Sequence, residues 1–393
     1  MTRLLAWLIR ILFRLKIDHR ERLVFDGPTI IMPNHVSFLD ALLLYLMLPP
    51  SVWFVVNTEI AARPWVALAL RFCNHVKIDN RNPYSLRTII NVVRDGNPVV
   101  LFPEGRISNT GGLMKMYTGA ALIAWKTSAR VYPVILRGPE YSFFSRITDK
   151  VIPQWLPQIR IFIGEPSVLV TETELGFRVQ KAAITDKLLS LMQDTMFLAR
   201  RQEYAQLDFF ARLQLAAKTH GGSKPIVRDL NRAVNYRALI TGVHVMAGKL
   251  RPTFATNENT VGVLLPNAVA HVVVLFALFR LGKTPAIMNF STGLRNVLDS
   301  ADTAGIKTVL TSRAFVEKAN LGELVGQLAT TNQVVFLEDL AKTISLLDKL
   351  NGLYRYFRRQ PGAATADSRL ILFTSGTEGR PKGVVLSHQA ILA

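Results

Sequence analysis

The sequence is poor in cysteine, and Cys73 is the single thiol among its 393 residues. One cysteine excludes a disulfide within the chain and is typical of a protein in a reducing compartment. The 7 histidines do not stand at metal-ligand spacing from Cys73 or from one another, so no metal site is predicted. The first residues are apolar and basic with no small-residue cleavage site after them, and we expect no secretory signal.

Acidic residues are scarce as well: 28 Asp and Glu stand against 47 Lys and Arg, which gives a formal net charge of +19. The excess is +10 in residues 1–220 and +9 in residues 221–393, so it is spread along the chain. A surface of this kind attracts anionic membranes or nucleic acid. No nucleic-acid-binding signature is present, and a hydrophobic content of 49% favours the membrane. We therefore predict an anionic membrane surface as a partner, and no nucleic acid.

Uninterrupted apolar runs long enough to cross a bilayer are also missing. Residues 41–58 carry no charge, but Pro49 and Pro50 divide them into a helix and a strand. Residues 259–279 are divided by Pro266 in the same way, and a strand followed by a helix in a parallel sheet explains their apolar character. We expect no transmembrane helix.

The N-terminal stretch has an amphipathic pattern. At helical spacing, Arg3, Arg10 and Arg14 fall on one narrow stripe, while leucines and Trp7 occupy much of the remaining circumference. A basic stripe on an otherwise apolar helix suits the plane of a membrane surface. The alternative is an ordinary helix that packs on the domain.

Apolar strands alternate with helical segments along the first half of the chain, which predicts an α/β fold with a mostly parallel sheet. Further strand–helix units follow in the second half. We predict one domain over 1–205, a linker over 206–225 that includes the turn-rich stretch 218–225, and a second domain over 226–393. The strands predicted in the first domain are 29–32, 52–56, 99–102, 131–136 and 160–163, and the helices are 38–48, 60–72, 84–95 and 118–128. A further predicted helix, 176–217, runs from the first domain into the stretch assigned to the linker.

The most informative stretch is 34–40, which reads Asn-His-Val-Ser-Phe-Leu-Asp. Ser37 followed three residues later by Asp40 has the form of a capping box that opens a helix. This pattern places His35 in the preceding turn and Asp40 in the first helical turn, where its carboxylate can fold back to one ring nitrogen. The other nitrogen is then free to take a proton. Taken alone, the pattern also fits a capping Asp40 beside a surface histidine.

A second motif, Phe-Pro-Glu-Gly-Arg at 102–106, follows a buried apolar strand. Glu104 and Arg106 are charged groups placed directly after a core strand, where catalytic residues of α/β folds tend to lie. Gly105 lets the backbone come close to a ligand, and the guanidinium of Arg106 matches phosphate oxygens. The alternative is a solvated turn with an internal ion pair.

These two motifs, followed by Val-Tyr-Pro-Val at 131–134, resemble the glycerolipid acyltransferases of the lysophosphatidic acid acyltransferase type in order and spacing. The resemblance covers roughly residues 1–205. It implies that His35 is the general base and that Asp40 orients it. It implies further that the acceptor phosphate is bound by Glu104, Gly105 and Arg106.

Another block of that family normally ends in Asp-Arg. Here Asn80 stands in the arginine position after Asp79, and Arg81 follows one residue late, as a displaced candidate for a phosphate contact. The resemblance implies no cofactor for acyl transfer.

The second half carries an apolar strand that runs into a loop rich in Thr, Ser and Gly, followed by a lysine, over 370–383. Free backbone N–H groups and hydroxyls in such a loop can surround phosphate. The stretch resembles the phosphate loop of adenylate-forming enzymes, which implies ATP and magnesium as cofactors of a complete domain. The printed sequence ends ten residues after Gly383, so we expect an incomplete nucleotide site and no acyl-adenylate formation. The candidate nucleotide-binding residues are Thr374, Ser375, Gly376, Thr377, Gly379 and Lys382.

An acyltransferase joined to an adenylating domain resembles a group of bifunctional bacterial enzymes of phospholipid remodelling. That resemblance implies acyl-carrier protein as the donor (acyl-CoA being the other possibility), lysophosphatidylethanolamine as the acceptor, and a place on the cytoplasmic face of the bacterial inner membrane. The competing hypothesis is a membrane-bound fragment that binds lipid or carrier protein without turnover.

Overall fold

The computed structural model divides into two compact units, Met1–Ala199 and Arg200–Ala393, which are described separately. The residues that the structure describes are 2–79, 85–171, 176–205, 207–230, 232–362, 369–374 and 381–392.

Unit 1 (residues 1–199) is built on one mixed sheet. Its strands are β1 (Lys16–Asp18), β2 (Thr29–Pro33), β3 (Trp53–Asn57), β4 (Asn74–Ile78), β5 (Val99–Val100), β6 (Arg130–Arg137), β7 (Arg160–Ile163) and β8 (Ser167–Val168). Its helices are α1 (Thr2–Leu12), α2 (Asp40–Met47), α3 (Thr58–Ala61), α4 (Pro64–Leu70), α5 (Ser85–Arg94), α6 (Thr118–Thr127) and α7 (Phe177–Tyr204), the last of which continues past the division between the units.

The strand order is β1-β7-β6-β2-β5-β3-β4, with β8 paired to β6. Pairs within the run from β6 to β4 are parallel, whereas β7 and β8 pair with β6 in the antiparallel sense. All five residues of β2 are buried because apolar clusters cover both faces of the sheet. The predicted α/β class with a mostly parallel sheet is confirmed. Since β2 and β5 are parallel neighbours, the loops that follow them leave the same edge of the sheet.

The structure differs from the sequence-based prediction at several elements of unit 1. The predicted helix 60–72 is two helices, because Pro64 begins α4 and holds Arg63 extended, with φ −69° and ψ 133°. Strands β1, β4 and β8 were not predicted, since they are short or carry polar residues. The predicted strand 99–102 is shorter, although Leu101 still donates its N–H to the carbonyl of Ile31 at 2.9 Å.

Unit 2 (residues 200–393) contains a six-stranded sheet of order β14-β13-β11-β12-β15-β16, parallel except for the β15–β16 pair, and a separate antiparallel pair β9–β10. Its strands are β9 (Pro225–Arg228), β10 (Ala233–Asn235), β11 (Thr260–Val263), β12 (Thr284–Ile287), β13 (Thr308–Thr311), β14 (Gln333–Phe336), β15 (Arg369–Thr374) and β16 (Lys382–Ser387). Its helices are α8 (Phe209–His220), α9 (Tyr236–Leu250), α10 (Val269–Arg280), α11 (Leu294–Thr303), α12 (Arg313–Lys318), α13 (Gly322–Thr331), α14 (Leu337–Lys342), α15 (Leu346–Phe357) and α16 (His388–Leu392).

The stretch predicted as a linker, 206–225, contains a helix in the structure. Helix α8 occupies 209–220, and the side chains of Phe210 and Leu213 are buried in the core of unit 2. The first three residues of the turn-rich stretch 218–225 still belong to α8, and Gly221 ends the helix with φ 91°. Within the described part of the chain, no helix combines the length and the low charge needed to cross a bilayer.

Candidate active site

Asn34 fixes the start of the loop that follows β2. Its side chain is completely buried and makes two hydrogen bonds to the backbone of β6. Its Nδ2 donates to the carbonyl of Leu136 at 3.1 Å, and its Oδ1 accepts the N–H of the same residue at 2.7 Å. The next residue, His35, therefore leaves the sheet from a defined position.

Asp40 is the first residue of α2 and lies fully buried beneath this loop. Its Oδ2 lies 2.9 Å from Nδ1 of His35 and accepts the N–H groups of Val36 at 2.6 Å and Ser37 at 2.8 Å. Burial raises the pKa of Asp40, and the hydrogen bonds from His35 and the two amides oppose that rise. The predicted arrangement, with His35 in the turn and Asp40 opening the helix, is confirmed.

The predicted capping box forms only in part. The carboxylate of Asp40 accepts the N–H of Ser37, as such a box requires, but the hydroxyl of Ser37 accepts the N–H of Leu39 at 3.2 Å instead of that of Asp40. The carboxylate is therefore shared between the end of the loop and the imidazole ring.

The ring of His35 has one occupied and one accessible nitrogen. With Nδ1 held by Asp40, Nε2 has no hydrogen-bond partner among the described residues, and the side chain is 20% exposed. The ring packs against Phe102, with centroids 4.2 Å apart. This geometry fixes the tautomer and leaves Nε2 able to take a proton from a bound hydroxyl.

The loop after β5 holds the backbone of His35 on both sides. Oε1 of Glu104 accepts the N–H of His35 at 3.0 Å, and the N–H of Ser108 donates to the carbonyl of His35 at 2.7 Å. Sequence reasoning missed Ser108, because a backbone contact of this kind leaves no mark on residue type. The two motifs, about 70 residues apart in sequence, thus form one site.

Glu104 is completely buried, and backbone amides occupy both of its oxygens. In addition to the bond from His35, its Oε2 accepts the N–H of Met114 at 3.0 Å. Burial raises the pKa of Glu104, and these two hydrogen bonds oppose the rise. The structure therefore places this carboxylate as a support for the loop, and its contact with an acceptor phosphate stays a prediction.

Gly105 and Arg106 lie at the surface beside the histidine loop. Gly105 has φ +61°, and a Cβ there would come 2.9 Å from the ring of Tyr117, so the position suits glycine for both reasons. The Arg106 side chain is exposed and has no hydrogen bond or ion pair among the described residues. The site thus has a cation available to a ligand phosphate.

A second segment, which includes Phe144 and Ser145, borders the histidine loop. Ser37 and Ser145 form an isolated antiparallel bridge, and the N–H of Phe38 donates to the carbonyl of Phe144 at 3.1 Å. Both phenylalanine side chains are exposed. The two rings add exposed apolar surface where this segment meets the histidine loop.

Of the remaining predicted residues, the structure describes Thr374 and Lys382. Thr374 ends β15 and Lys382 begins β16, where the two residues are paired in the antiparallel register and both are exposed. The described residues contain no cluster of His, Cys, Asp or Glu that could hold a metal ion. Outside the described residues lie Arg81, Ser375, Gly376, Thr377 and Gly379.

Two family models match the chain in succession. Residues 14–137 match the Acyltransferase model, and residues 213–393 match the AMP-binding enzyme model. The chain thus carries an acyltransferase-type domain followed by an AMP-binding-type domain, which is consistent with a fusion of two domains.

Each half of the chain is similar to proteins of known name. A chloroplastic 1-acyl-sn-glycerol-3-phosphate acyltransferase of Brassica napus is 35% identical over 33% of this chain and 36% of its own length. The enzyme of that activity from Bacillus subtilis is 25% identical over 44% of this chain and 83% of its own length. The 3-hydroxypropionyl-coenzyme A synthetase of Sulfurisphaera tokodaii is 27% identical over 40% of this chain and 26% of its own length. The chain therefore spans little more than a third of the plant relative.

Among solved structures, the 1-acyl-sn-glycerophosphate acyltransferase of Thermotoga maritima aligns with 50% of this chain and 81% of its own, at 20% identity and a TM-score of 0.36. The o-succinylbenzoate coenzyme A synthetase of Bacillus subtilis aligns with 46% of this chain and 42% of its own, at 20% identity and a TM-score of 0.35.

Proposed function

We propose that unit 1 transfers an acyl group from a thioester to a free hydroxyl of a lysophospholipid. The observation that carries the proposal is the contact of 2.9 Å between Oδ2 of the buried Asp40 and Nδ1 of His35, which leaves Nε2 without a partner among the described residues. The exposed Arg106 lies two residues after Glu104, which binds the backbone of His35. The matches to 1-acyl-sn-glycerol-3-phosphate acyltransferases support a glycerol phosphate lipid as the acceptor.

The reaction follows from the geometry of the histidine. Nε2 of His35 takes the proton of the acceptor hydroxyl while the hydroxyl oxygen attacks the thioester carbonyl. Asp40 stabilises the resulting imidazolium. The tetrahedral intermediate then collapses, the carbon–sulfur bond breaks, and the thiolate leaves with the proton returned by the imidazolium. An ester and a free thiol are the products.

We infer more specifically that the chain corresponds to the bifunctional 2-acylglycerophosphoethanolamine acyltransferase and acyl-[acyl-carrier-protein] synthetase. On this proposal the donor is acyl-[acyl-carrier-protein] or acyl-CoA, and the acceptor is the sn-1 hydroxyl of a 2-acyl lysophospholipid such as lysophosphatidylethanolamine. The succession of an acyltransferase-type and an AMP-binding-type domain supports this identity. The reaction would take place at the cytoplasmic face of the bacterial inner membrane.

For unit 2 we propose binding of ATP, which releases pyrophosphate when a carboxylate attacks its α-phosphate and becomes adenylated. The exposed hydroxyl of Thr374 and ammonium of Lys382, on paired residues at the ends of β15 and β16, fit a polyphosphate chemically. No described residue is assigned to magnesium, because no acidic cluster is present among them.

Labelled acyl transfer by the purified chain tests the proposal, with acyl-carrier protein or CoA as donor and a panel of lysolipids as acceptors. His35→Ala should lower the rate by about 10²- to 10⁴-fold, the range typical of general base catalysis. His75→Ala is the matched control, because His75 lies in β4 of the same unit and the one hydrogen bond of its ring in the described structure is with the carbonyl of Cys73. Transfer by His35→Ala at the control rate would refute the mechanism. If both the unmutated chain and His35→Ala bind lysolipid but transfer almost no acyl group, the competing hypothesis of lipid binding without turnover is favoured.

A further inference from the structure

Helix α15 in unit 2 carries an apolar face that the described structure leaves open. Five side chains share an arc of about 100° on a helix of 3.6 residues per turn. Each of them is more than half exposed, from 54% for Leu350 to 76% for Leu347. The α15 face consists of Leu346, Leu347, Leu350, Tyr354 and Phe357.

The opposite side of α15 is the side that packs in the protein. Gly352 lies about 190° around the helix from the middle of the α15 face, and it is buried against α9. A Cβ at this glycine would come 2.8 Å from Cγ2 of Val245 and 3.0 Å from the carbonyl oxygen of Thr241. The close contact fixes the rotation of α15, so the exposed apolar arc points away from α9.

The N-terminus of α15 is also firmly held. Ser345 and Asp348 form a complete capping box, and Nζ of Lys249 on α9 lies 2.8 Å from Oδ2 of Asp348. The exposed leucines therefore belong to a capped, docked helix and not to a frayed end.

Basic residues flank the α15 face on both sides. Lys349 lies beyond one edge of the arc and Arg358 beyond the other, and Arg359 follows directly. All three are exposed and have no ion pair among the described residues, whereas the one acidic residue of the helix, Asp348, is paired with Lys249. An apolar arc with cationic edges and little total hydrophobicity is typical of helices that lie in a membrane interface.

We propose that the α15 face docks on an anionic phospholipid bilayer, with its leucines and aromatic rings among the acyl chains and its cations at the headgroups. Charge decides between a bilayer and a second copy of the chain as the occupant. A two-fold contact through this face would place Lys349 and Arg358 of one copy near the same cations of the other, whereas an anionic surface attracts them. The proposal goes beyond acyl transfer and does not depend on it.

A spin label measures the depth of the helix directly. In a Cys73→Ser background, the full chain carries a nitroxide at Leu350→Cys or, as the control, at Leu230→Cys, a residue 102% exposed elsewhere in unit 2. On vesicles of phosphatidylethanolamine and phosphatidylglycerol, the label at 350 should gain access to oxygen and lose access to a water-soluble nickel chelate. The label at 230 should change in neither respect.

Partition measurements give a second and independent readout. Leu350→Glu should weaken vesicle binding about tenfold or more, because a leucine side chain no longer leaves water, whereas Leu230→Glu makes the same change of charge with little effect. Circular dichroism checks that both variants fold.

Three outcomes would overturn the proposal. The first is a label at 350 that stays as accessible to nickel as the label at 230 while the protein is bound to vesicles. The second is protection at 350 that appears without vesicles as protein concentration rises, since it would assign the face to a second copy. The third is equal binding of Leu350→Glu and Leu230→Glu.

Discussion

The loops after β2 and β5 each bury one carboxylate near His35, yet the two carboxylates act on different parts of the histidine. Asp40, reached through the first loop, lies 2.9 Å from the ring nitrogen. Glu104, in the second loop, accepts only backbone N–H groups, those of His35 and Met114. The first loop thus holds the imidazole ring of His35 through one nitrogen, and the second loop holds its backbone. Burial alone does not reveal which role an acid has; the group at the other end of its hydrogen bond does.

The largest expected effect comes from Asp40→Asn. The asparagine oxygen can still accept the bonds from the loop, but the negative charge beside the imidazolium is lost. We expect kcat to fall by about 10²- to 10⁴-fold with lysolipid binding retained. Steady-state kinetics with an equilibrium binding assay measures both. A kcat within a few-fold of the unmutated chain would show that Asp40 only caps α2.

The next largest effect is expected from Arg106→Ala, which tests the exposed part of the second loop, whereas Glu104 represents its buried part. A lost hydrogen bond to a charged partner costs about 1.5–3 kcal/mol, so the acceptor KM should rise about 10- to 100-fold with little change in kcat. Lys115→Ala, at an exposed cation three residues before α6, is the control and should leave the acceptor KM nearly unchanged. A rise in the donor KM alone would move Arg106 to the thioester side.

Glu104→Gln tests the supporting role. The amide nitrogen that replaces one oxygen would face a backbone N–H, and one buried donor would lose its acceptor at a cost of about 1–3 kcal/mol. All five tryptophans lie at or before residue 155, so tryptophan fluorescence during denaturant unfolding reports on unit 1. Asp186→Asn, at an exposed residue of the same unit with no ion pair among the described residues, is the control. Equal unfolding midpoints for the two variants would remove Glu104 as a support.

The smallest effect is on the pH dependence of stability. Because burial raises the pKa of Glu104 above its ordinary value of 4.5, the folded chain binds this proton more tightly than the unfolded chain does. Its contribution to stability is therefore fully present below pH 4.5 and declines as pH rises through the folded pKa. The difference in free energy of unfolding between the unmutated chain and Glu104→Gln should therefore become smaller as pH rises through the folded pKa of Glu104. A difference that grows with pH would mean that the carboxylate is stabilised in its charged form.

The sequence was most predictive where the signal is local. The five-residue spacing from His35 to Asp40 and the helix-start pattern placed the imidazole and carboxylate correctly, because a turn followed by a helix determines their distance. The alternation of apolar strands and helices likewise predicted the mostly parallel sheet.

Contacts distant in sequence were beyond such reasoning. The bonds from Glu104 to the amide of His35 and from Asn34 to Leu136 join residues 69 and 102 positions apart, and they form only when the parallel strands are in register. A sequence with Glu-Gly-Arg after a strand, or with Asn in a turn, looks the same whether or not those hydrogen bonds form. Residue type therefore predicted polar groups at this edge without predicting which of them face a ligand.

The side chain of Asn34 imitates a peptide group. By donating to the carbonyl of Leu136 and accepting its N–H, it adds one more rung to the ladder between β2 and β6 after the backbone of β2 has turned away. Of the side chains of this length, only an uncharged amide offers a donor and an acceptor together. The hydrogen-bonding groups of β6 therefore require an amide side chain at position 34. Because Asn34 is bound to the sheet in this way, the position of His35 next to it is fixed although His35 lies in a loop.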